Sequence, residues 1–525
     1  MIENVIIIIS DEEYYDDTQL LVRSFFKGVN IIRESTGGDS SEHINIKKLL
    51  SEEFEVSEKE TFFLDSLSSE ERECEYAALV INADVYMPCE HLNETDRGAL
   101  HDIYKRKLYE ALVGFAGRTL PWGFLTGVRP AKRAMEIIKK DVFYSDEPTV
   151  ISQFSKKYMT SEKKARLSYN VAKNEMSVLL RNGISFDNDK YQGFSIYAGI
   201  PFCPTTCLYC SFSSLPISVC DETFINDYVE ALCNEINRSS DIYMENIMKR
   251  GCGKDGLSPS SVYIGGGTPT ALSAELLGKI IDCISRFFSI DSNAEFCVES
   301  GRPDSITEEK LLMLKEKGVN RISVNPQSMN QKTLDLIGRS HTPEDVYKSF
   351  ELARKIGFDN INTDIILGLP GEGKEELRKT VEALEKLGPD SITVHSLALK
   401  RASKLNIDSA EYKHIRSENS EEMIDMTADL AERLCMRPYY MYRQQNMSGN
   451  LENTGYAREG KESLYNIVIM EEVQDILAFG AGASSKLMMG NNRFERAVNV
   501  KDVRNYISRV DEMCSRKEKL LNNIE

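Results

Sequence analysis

The run Phe194-Ser-Ile-Tyr-Ala-Gly-Ile-Pro-Phe-Cys203-Pro-Thr-Thr-Cys207-Leu-Tyr-Cys210 joins a short apolar strand to a loop carrying three cysteines. Spacings of four and three residues let such a loop aim three thiolates at one point. A closed structural zinc site needs four Cys or His ligands. The histidines are His43, His91, His101, His341, His395 and His414, and none lies near the loop in sequence. A cubane iron–sulfur cluster takes one thiolate per iron. Three thiolates therefore leave one iron open to bind something else, which is the arrangement of a catalytic site. The other nine cysteines (Cys74, Cys89, Cys220, Cys233, Cys252, Cys283, Cys297, Cys435 and Cys514) stand singly. They read as packing residues of a reducing compartment.

Downstream of this loop the pattern repeats. Short Val/Ile-rich runs at Phe194–Ile200, Ser261–Ile264, Ala294–Val298, Arg321–Val324, Ile361–Leu367 and Ser391–Val394 alternate with helical segments. One helix is expected to begin at the N-cap Thr342 with Pro343 at its first position, and to end at Gly357. Another places Leu377, Val381 and Leu384 at helical spacing between Glu375 and Leu387. Six βα units imply parallel strands with right-handed crossovers, hence an α/β barrel or open sheet. After the second strand comes Gly265-Gly266-Gly267-Thr268-Pro269, which allows a ligand close to the backbone. The run Gly368-Leu-Pro-Gly-Glu-Gly373-Lys374 matches seven positions of a phosphate-binding loop. Its eighth position is Glu375, not Ser or Thr, so it reads as a strand-to-helix turn.

The pairing of Cys-x3-Cys-x2-Cys after the first strand with Gly-Gly-Gly-Thr-Pro after the second resembles the radical S-adenosylmethionine (SAM) superfamily. That resemblance implies a partial (β/α)6 barrel with a [4Fe–4S] cluster on Cys203, Cys207 and Cys210, whose open iron binds SAM. Within the superfamily, Tyr197-Ala-Gly-Ile-Pro-Phe-Cys203 is similar to the barrel start of oxygen-independent coproporphyrinogen III oxidases. So, in order, are the stretches around Glu299, Gln327, Arg339 and Asp364. The segment Leu-Pro-Trp-Gly-Phe-Leu-Thr-Gly-Val-Arg-Pro before the barrel looks most like the longer HemZ branch.

By that resemblance two SAM molecules share the site. Tyr197, a catalytic candidate, contacts the first together with Gly266, Glu299 and Lys486. Gly267, Thr268, Gln327, Arg339, Asp364 and Ala398 contact the second. Arg339 suits a SAM carboxylate, and the two acids suit ribose hydroxyls or an ammonium. Arg339 and Asp364 are expected across the barrel mouth from the cysteine loop. The implied chemistry is reductive cleavage of SAM to a 5′-deoxyadenosyl radical, which takes a hydrogen from a propionate β-carbon. Loss of CO2 and one electron leaves a vinyl group. Two rounds convert coproporphyrinogen III into protoporphyrinogen IX in haem biosynthesis, fed by a flavodoxin- or ferredoxin-type electron donor.

Two alternatives stay open, a haem-binding chaperone of the same family and a two-SAM radical methyltransferase. Well-studied oxidases carry a fourth cysteine where this chain has Phe212, and a histidine where it has Gly199. The chaperones usually carry His-Asn-x-x-Tyr-Trp, where this chain reads Glu452-Asn-Thr-Gly-Tyr456-Ala.

The chain has 525 residues, which argues for two or three domains. The expected division is an N-terminal acidic α+β extension over 1–185, the barrel core over 186–400 and a mostly helical region over 401–525. Of the net charge of −18, residues 1–100 carry −15, from 8 Lys/Arg against 23 Asp/Glu. No basic stripe with interleaved aromatics suggests nucleic acid. The run Val5–Ile9 is too short for a signal core or a membrane span, so a cytoplasmic protein without a membrane span is expected. The basic segment around Trp122 (Arg118, Arg129, Lys132, Arg133) reads either as a packed connector or as a lining of the substrate entrance.

Overall fold

The computed structural model describes residues 4–9, 12–26, 30–34, 61–68, 75–81, 84–86, 97–126, 129–140, 146–185, 191–212, 214–249, 258–398, 418–444, 451–489 and 493–522. The chain divides into two compact units, Met1–Tyr169 and Asn170–Glu525.

In the first unit, the aliphatic run at the chain start forms β1 (Asn4–Ile9). It pairs in parallel with β2 (Asn30–Glu34) and β3 (Thr61–Ser68). The antiparallel strands β4 (Glu75–Ile81) and β5 (Asp84–Tyr86) complete the order β2-β1-β3-β4-β5. Helices Arg97–Ala116, Pro130–Lys140 and Glu147–Tyr158 follow. The aromatic residues Trp122 and Phe124 of the basic segment pack within this unit. Trp122 is fully buried, with the Lys164 ammonium 5.8 Å from its ring centre. Arg118 donates to the Phe25 carbonyl, and Arg133 pairs with Glu136 at 3.1 Å.

The second unit holds the repeat. Strand β6 (Phe194–Ile200) leads into β7 (Phe202–Cys203), which pairs with β8 (Leu215–Pro216). Next come β9 (Ser261–Gly266), β10 (Glu295–Val298), β11 (Arg321–Ser323), β12 (Ile361–Leu367) and β13 (Ser391–Ser396). Strands β6, β9, β10, β11, β12 and β13 lie side by side, every neighbouring pair parallel. This is the expected partial (β/α)6 barrel. Its strands bury apolar side chains against helices such as Glu222–Lys249 and Ala274–Phe287, whose Val229, Leu232, Leu277 and Ile281 join one core with Ile196, Val262 and Val298. Helix Pro343–Ile356 starts and stops as its sequence predicts. Thr342 and Asp345 cap each other reciprocally, and Gly357 closes it at φ 99°. The phosphate-loop look-alike is indeed a turn, since β12 ends at Leu367 and helix Lys374–Leu387 begins after Gly373. Glu372 within it is buried and accepts from Ser328 and Asn330.

The C-terminal region contains the expected helices, Glu421–Arg433, Leu464–Glu471, Val503–Ser508 and Val510–Asn522. It also supplies strands that extend the barrel sheet at both ends. β14 (Arg437–Tyr442) and β15 (Asn453–Ala457) add antiparallel beyond β13. β16 (Asp475–Phe479) adds in parallel to β6, followed by the antiparallel β17 (Ser484–Met488) and β18 (Phe494–Val498). Among the described residues the sheet thus has eleven strands.

Candidate cluster and cofactor site

The cysteine loop leaves β6 at the C-terminal end of the parallel strands, the end at which barrels of this type place their chemistry. It is short and tightly pinned. The Leu208 N–H donates to the Ile337 carbonyl at 3.0 Å, and the Thr205 hydroxyl to the Gly338 carbonyl at 2.8 Å. Cys203 is held from the glycine turn, where the Thr268 hydroxyl donates to its sulfur at 3.5 Å. Arg302 donates from Nη1 to the Cys207 sulfur at 3.5 Å and to the Thr205 hydroxyl at 3.0 Å. Burial pushes the Cys203 thiol up, against the pull of Thr268 and Ser214 hydrogen bonds.

Among the described residues no three Cys, His, Asp or Glu side chains converge tightly enough for a single metal ion. A cubane instead takes its thiolates on separate corners, one per iron. Three cysteines on one pinned loop, with N–H and O–H donors directed at two of their sulfurs, fit that group.

The glycine turn is built for close approach. Gly266 has φ 105°, a conformation that favours glycine. A Cβ at Gly267 would stand 2.6 Å from the Phe202 carbonyl and 3.0 Å from the Cys203 sulfur. The Gly267 and Thr268 N–H groups donate to Ile200 and Phe202, at 2.7 Å each, which locks the turn against the strand bearing the cysteines.

Below the turn, the register places Tyr197 beside Tyr263, and their rings stack with Tyr465. Tyr263 donates to Glu299, whose carboxyl burial pushes up to about 7 despite that bond; the nearby Asp364 charge adds to the rise. Asp364 stays below the ordinary carboxylate range. Burial opposes this, but hydrogen bonds from His395, Asn362 and Thr393 outweigh it. Asn325 and Asn362 donate to its two oxygens at 2.8 and 2.7 Å. Gln327 adopts φ 65° while its backbone bridges Asp364 and Ile366, and its buried amide oxygen has no partner among the described residues.

Arg339 is buried and donates to the Tyr209 hydroxyl at 3.0 Å and to the Gly301 and Asn325 carbonyls at 3.1 and 2.6 Å; its Nε has no partner among the described residues. Tyr209 belongs to the cysteine loop, so Arg339 adjoins that loop rather than lying across the mouth from it. The short helix Gln331–Leu336 folds the chain back to bring it there. Ala398 stands two residues beyond β13, on the mouth side and half-buried. Lys486 does not join this cluster. It pairs across the sheet with Ile476, which in turn sits beside Ser195 at the opposite end of β6 from the cysteines. Its ammonium pairs with Glu472 and lies 3.9 Å from the Phe494 ring centre.

Three groups escape the motif reading. Arg302 sits three residues after Glu299, Tyr263 two before Gly265, and His395 near the end of β13. Strand alternation could have given Tyr263, since it neighbours Tyr197 in register. Nothing local marks Arg302.

Residues 197–384 match the family model of the radical SAM superfamily. The chain is 36% identical over 418 residues, 79% of each protein, to the oxygen-independent coproporphyrinogen-III oxidase-like protein HemZ of Bacillus subtilis. It is 33% identical over 323 residues to the heme chaperone HemW of the same organism, covering 61% of this chain and 76% of that one. The solved structure of coproporphyrinogen III oxidase (HemN) from Escherichia coli is 22% identical with a TM-score of 0.48, over 64% of this chain and 73% of that one. The superfamily implies a [4Fe–4S] cluster and SAM, and the pinned cysteines and glycine turn are suited to both. On its sequence and its parallel barrel, the chain belongs to the radical SAM superfamily, within the coproporphyrinogen-III oxidase-like family of HemZ.

Proposed function

We propose that this protein oxidatively decarboxylates two propionates of coproporphyrinogen III to vinyl groups, yielding protoporphyrinogen IX without oxygen. The observation that supports it most is the shared length with the oxidase-like HemZ, 79% of each chain, reaching well outside the barrel. A bound cluster would supply one electron to SAM, an external one-electron acceptor would take the electron left when each substrate radical loses CO2, and the protein's own groups bind and orient. Cys203, Cys207 and Cys210 hold the cluster. Gly266, Glu299 and Tyr197 receive a first SAM at the glycine turn, and Gln327, Arg339, Asp364 and Ala398 a second. The unpartnered Gln327 oxygen and Arg339 Nε are free to accept from and donate to such a ligand. The tyrosine stack of Tyr197, Tyr263 and Tyr465 keeps water from the interior. A small reducing protein, flavodoxin or ferredoxin in type, would supply electrons, in the cytoplasm.

A second reading, haem transfer, is favoured by the HemW likeness and by Phe212, which is exposed where the oxidases have their fourth cysteine. Against it, Glu452 and Tyr456 are buried, and β15 is hydrogen-bonded on both sides. That stretch offers no exposed haem ligand. The test is anaerobic reconstitution with iron, sulfide, SAM, a reductant and coproporphyrinogen III, followed by mass spectrometry. Vinyl porphyrin with methionine and 5′-deoxyadenosine is expected. Tightly held haem without vinyl product would overturn the oxidase reading, and methylated product with S-adenosylhomocysteine would replace it with a methyltransferase.

A further inference from the structure

We infer that Arg302 is a positioning residue for the cluster, its guanidinium holding the Cys207 sulfur and favouring the reduced cluster. The inference rests on the cluster reading of Cys203, Cys207 and Cys210. Arg302 is only 4% exposed, so its charge acts through little water. Asp304 grips it in a two-pronged pair, Nε to Oδ1 at 2.9 Å and Nη2 to Oδ2 at 2.7 Å. Such a fork fixes a guanidinium's plane. The remaining nitrogen, Nη1, is thereby aimed at Cys207 and at Thr205 in the same loop. Asp304 is itself fixed, because it lies in the Pro303–Ser305 turn, where the Ser305 hydroxyl bonds Thr270 at 2.7 Å just after the glycine turn.

The physical consequence follows from charge. Three thiolates on a cluster make a net anion, and reduction adds one more negative charge. An N–H bond to a thiolate, backed by a cation, stabilises the more negative state, and hydrogen bonds to sulfur are a main determinant of cluster potential. Asp304 partly offsets the charge but does not redirect the N–H. A lysine keeps the charge yet cannot span both Asp304 and Cys207 in a fixed plane.

The experiment is an anaerobic redox titration of the reconstituted full-length protein, without SAM, followed by electron paramagnetic resonance. In R302Q the reduced-to-oxidised ratio at a fixed potential should fall about tenfold, which is about 59 mV for one electron. R302K should shift less, in the same direction. Iron per chain is measured alongside. A wild-type protein that binds no iron would remove the cluster reading itself. An iron-replete R302Q with the wild-type midpoint overturns the role of Arg302 alone. If R302Q fails to load iron, R302K carries the measurement. Should R302K also fail to load, or load with an unchanged midpoint, Arg302 is a folding element and the inference is overturned.

Discussion

The two ends of the parallel strands treat polar groups in opposite ways. At the floor, where strands begin, Glu295 accepts from the Ser463 hydroxyl and from the Leu464 and Tyr465 N–H groups, at 3.1, 2.9 and 3.1 Å. It thereby caps helix Leu464–Glu471. Arg321, on the neighbouring strand, donates to Asn360 and to the Lys461 carbonyl at 2.6 Å each, and to Ser391 at 2.8 Å. At the mouth, Gln327 and Arg339 keep buried polar atoms without partners, and Gln327 sits in a strained backbone conformation. An unmet buried polar group costs about 1–3 kcal/mol. Backbone strain persists where the surrounding structure over-determines it, and it clusters at ligand-binding sites. At these residues the floor satisfies its polar groups, and the mouth leaves two unmet among the described residues.

The contrast can be broken at either end. Cys207→Ala at the mouth should lose essentially all cluster iron and sulfide while Cys435→Ala, on the exposed surface, keeps both; iron analysis decides, and retained iron in the first variant sinks the cluster assignment. At the floor, Arg321→Ala should lower stability by about 3–5 kcal/mol, since it strips a buried charge from several partners. Its urea midpoint should fall sharply, and an unchanged midpoint would void the contrast.

A pH series sharpens the comparison. Glu299 has a folded pKa raised to about 7, so its contribution is present at acid pH and is lost as pH rises through that value. Asp364 runs the other way, contributing above the ordinary carboxylate range and losing its contribution as pH falls. Apo protein should therefore lose stability between roughly pH 5 and 8 relative to Glu299→Gln. Parallel curves for the two proteins would contradict the buried carboxyl. Smaller still, Gln327→Gly should relieve the left-handed backbone and stabilise apo protein by about 1 kcal/mol while weakening SAM binding. A variant that gains stability and binds SAM as before would make the strain purely structural. The least effect is expected from Lys486→Met, with SAM affinity changed less than about twofold, or about 0.4 kcal/mol. A larger loss would mean that the register argument misplaces this side chain.

Most of the barrel was legible because its signals are local. Phe194–Ile200 and Ile361–Leu367 emerge with the bounds read from their apolar runs, and the Thr342–Gly357 helix carries both its start and its stop. The cysteine spacing likewise needs only eight consecutive residues. What escaped depends on distant partners. The five residues of β16 look like any short apolar run, and only pairing with β6 makes them a strand of the barrel sheet. The family resemblance implies that Lys486 contacts the first SAM; register across two strands puts it at the floor. Arg302 gains its place from Asp304 and Cys207 together, a triangle that no single motif spells out.

The pairing of β6 with β16 has a kinetic side. Ser195 and Gln474 share a hydrogen bond across 279 residues of sequence. At a synthesis rate of about 5–20 residues per second, the ribosome needs roughly 14–56 s to deliver the second partner after the first. For that interval the outer edge of β6, the strand that carries the cysteine loop, has no neighbour on that side. An uncovered strand edge invites pairing with other chains, and contacts this distant in sequence slow folding. The Gly480–Ala481 turn that follows β16, whose N–H groups meet Glu235 and Tyr228 just behind Gly199, pins that edge once β16 has paired. The nascent chain therefore depends on the distant β16 to shield the strand that leads into its cysteine loop, and a product truncated before β16 would expose that edge to aggregation.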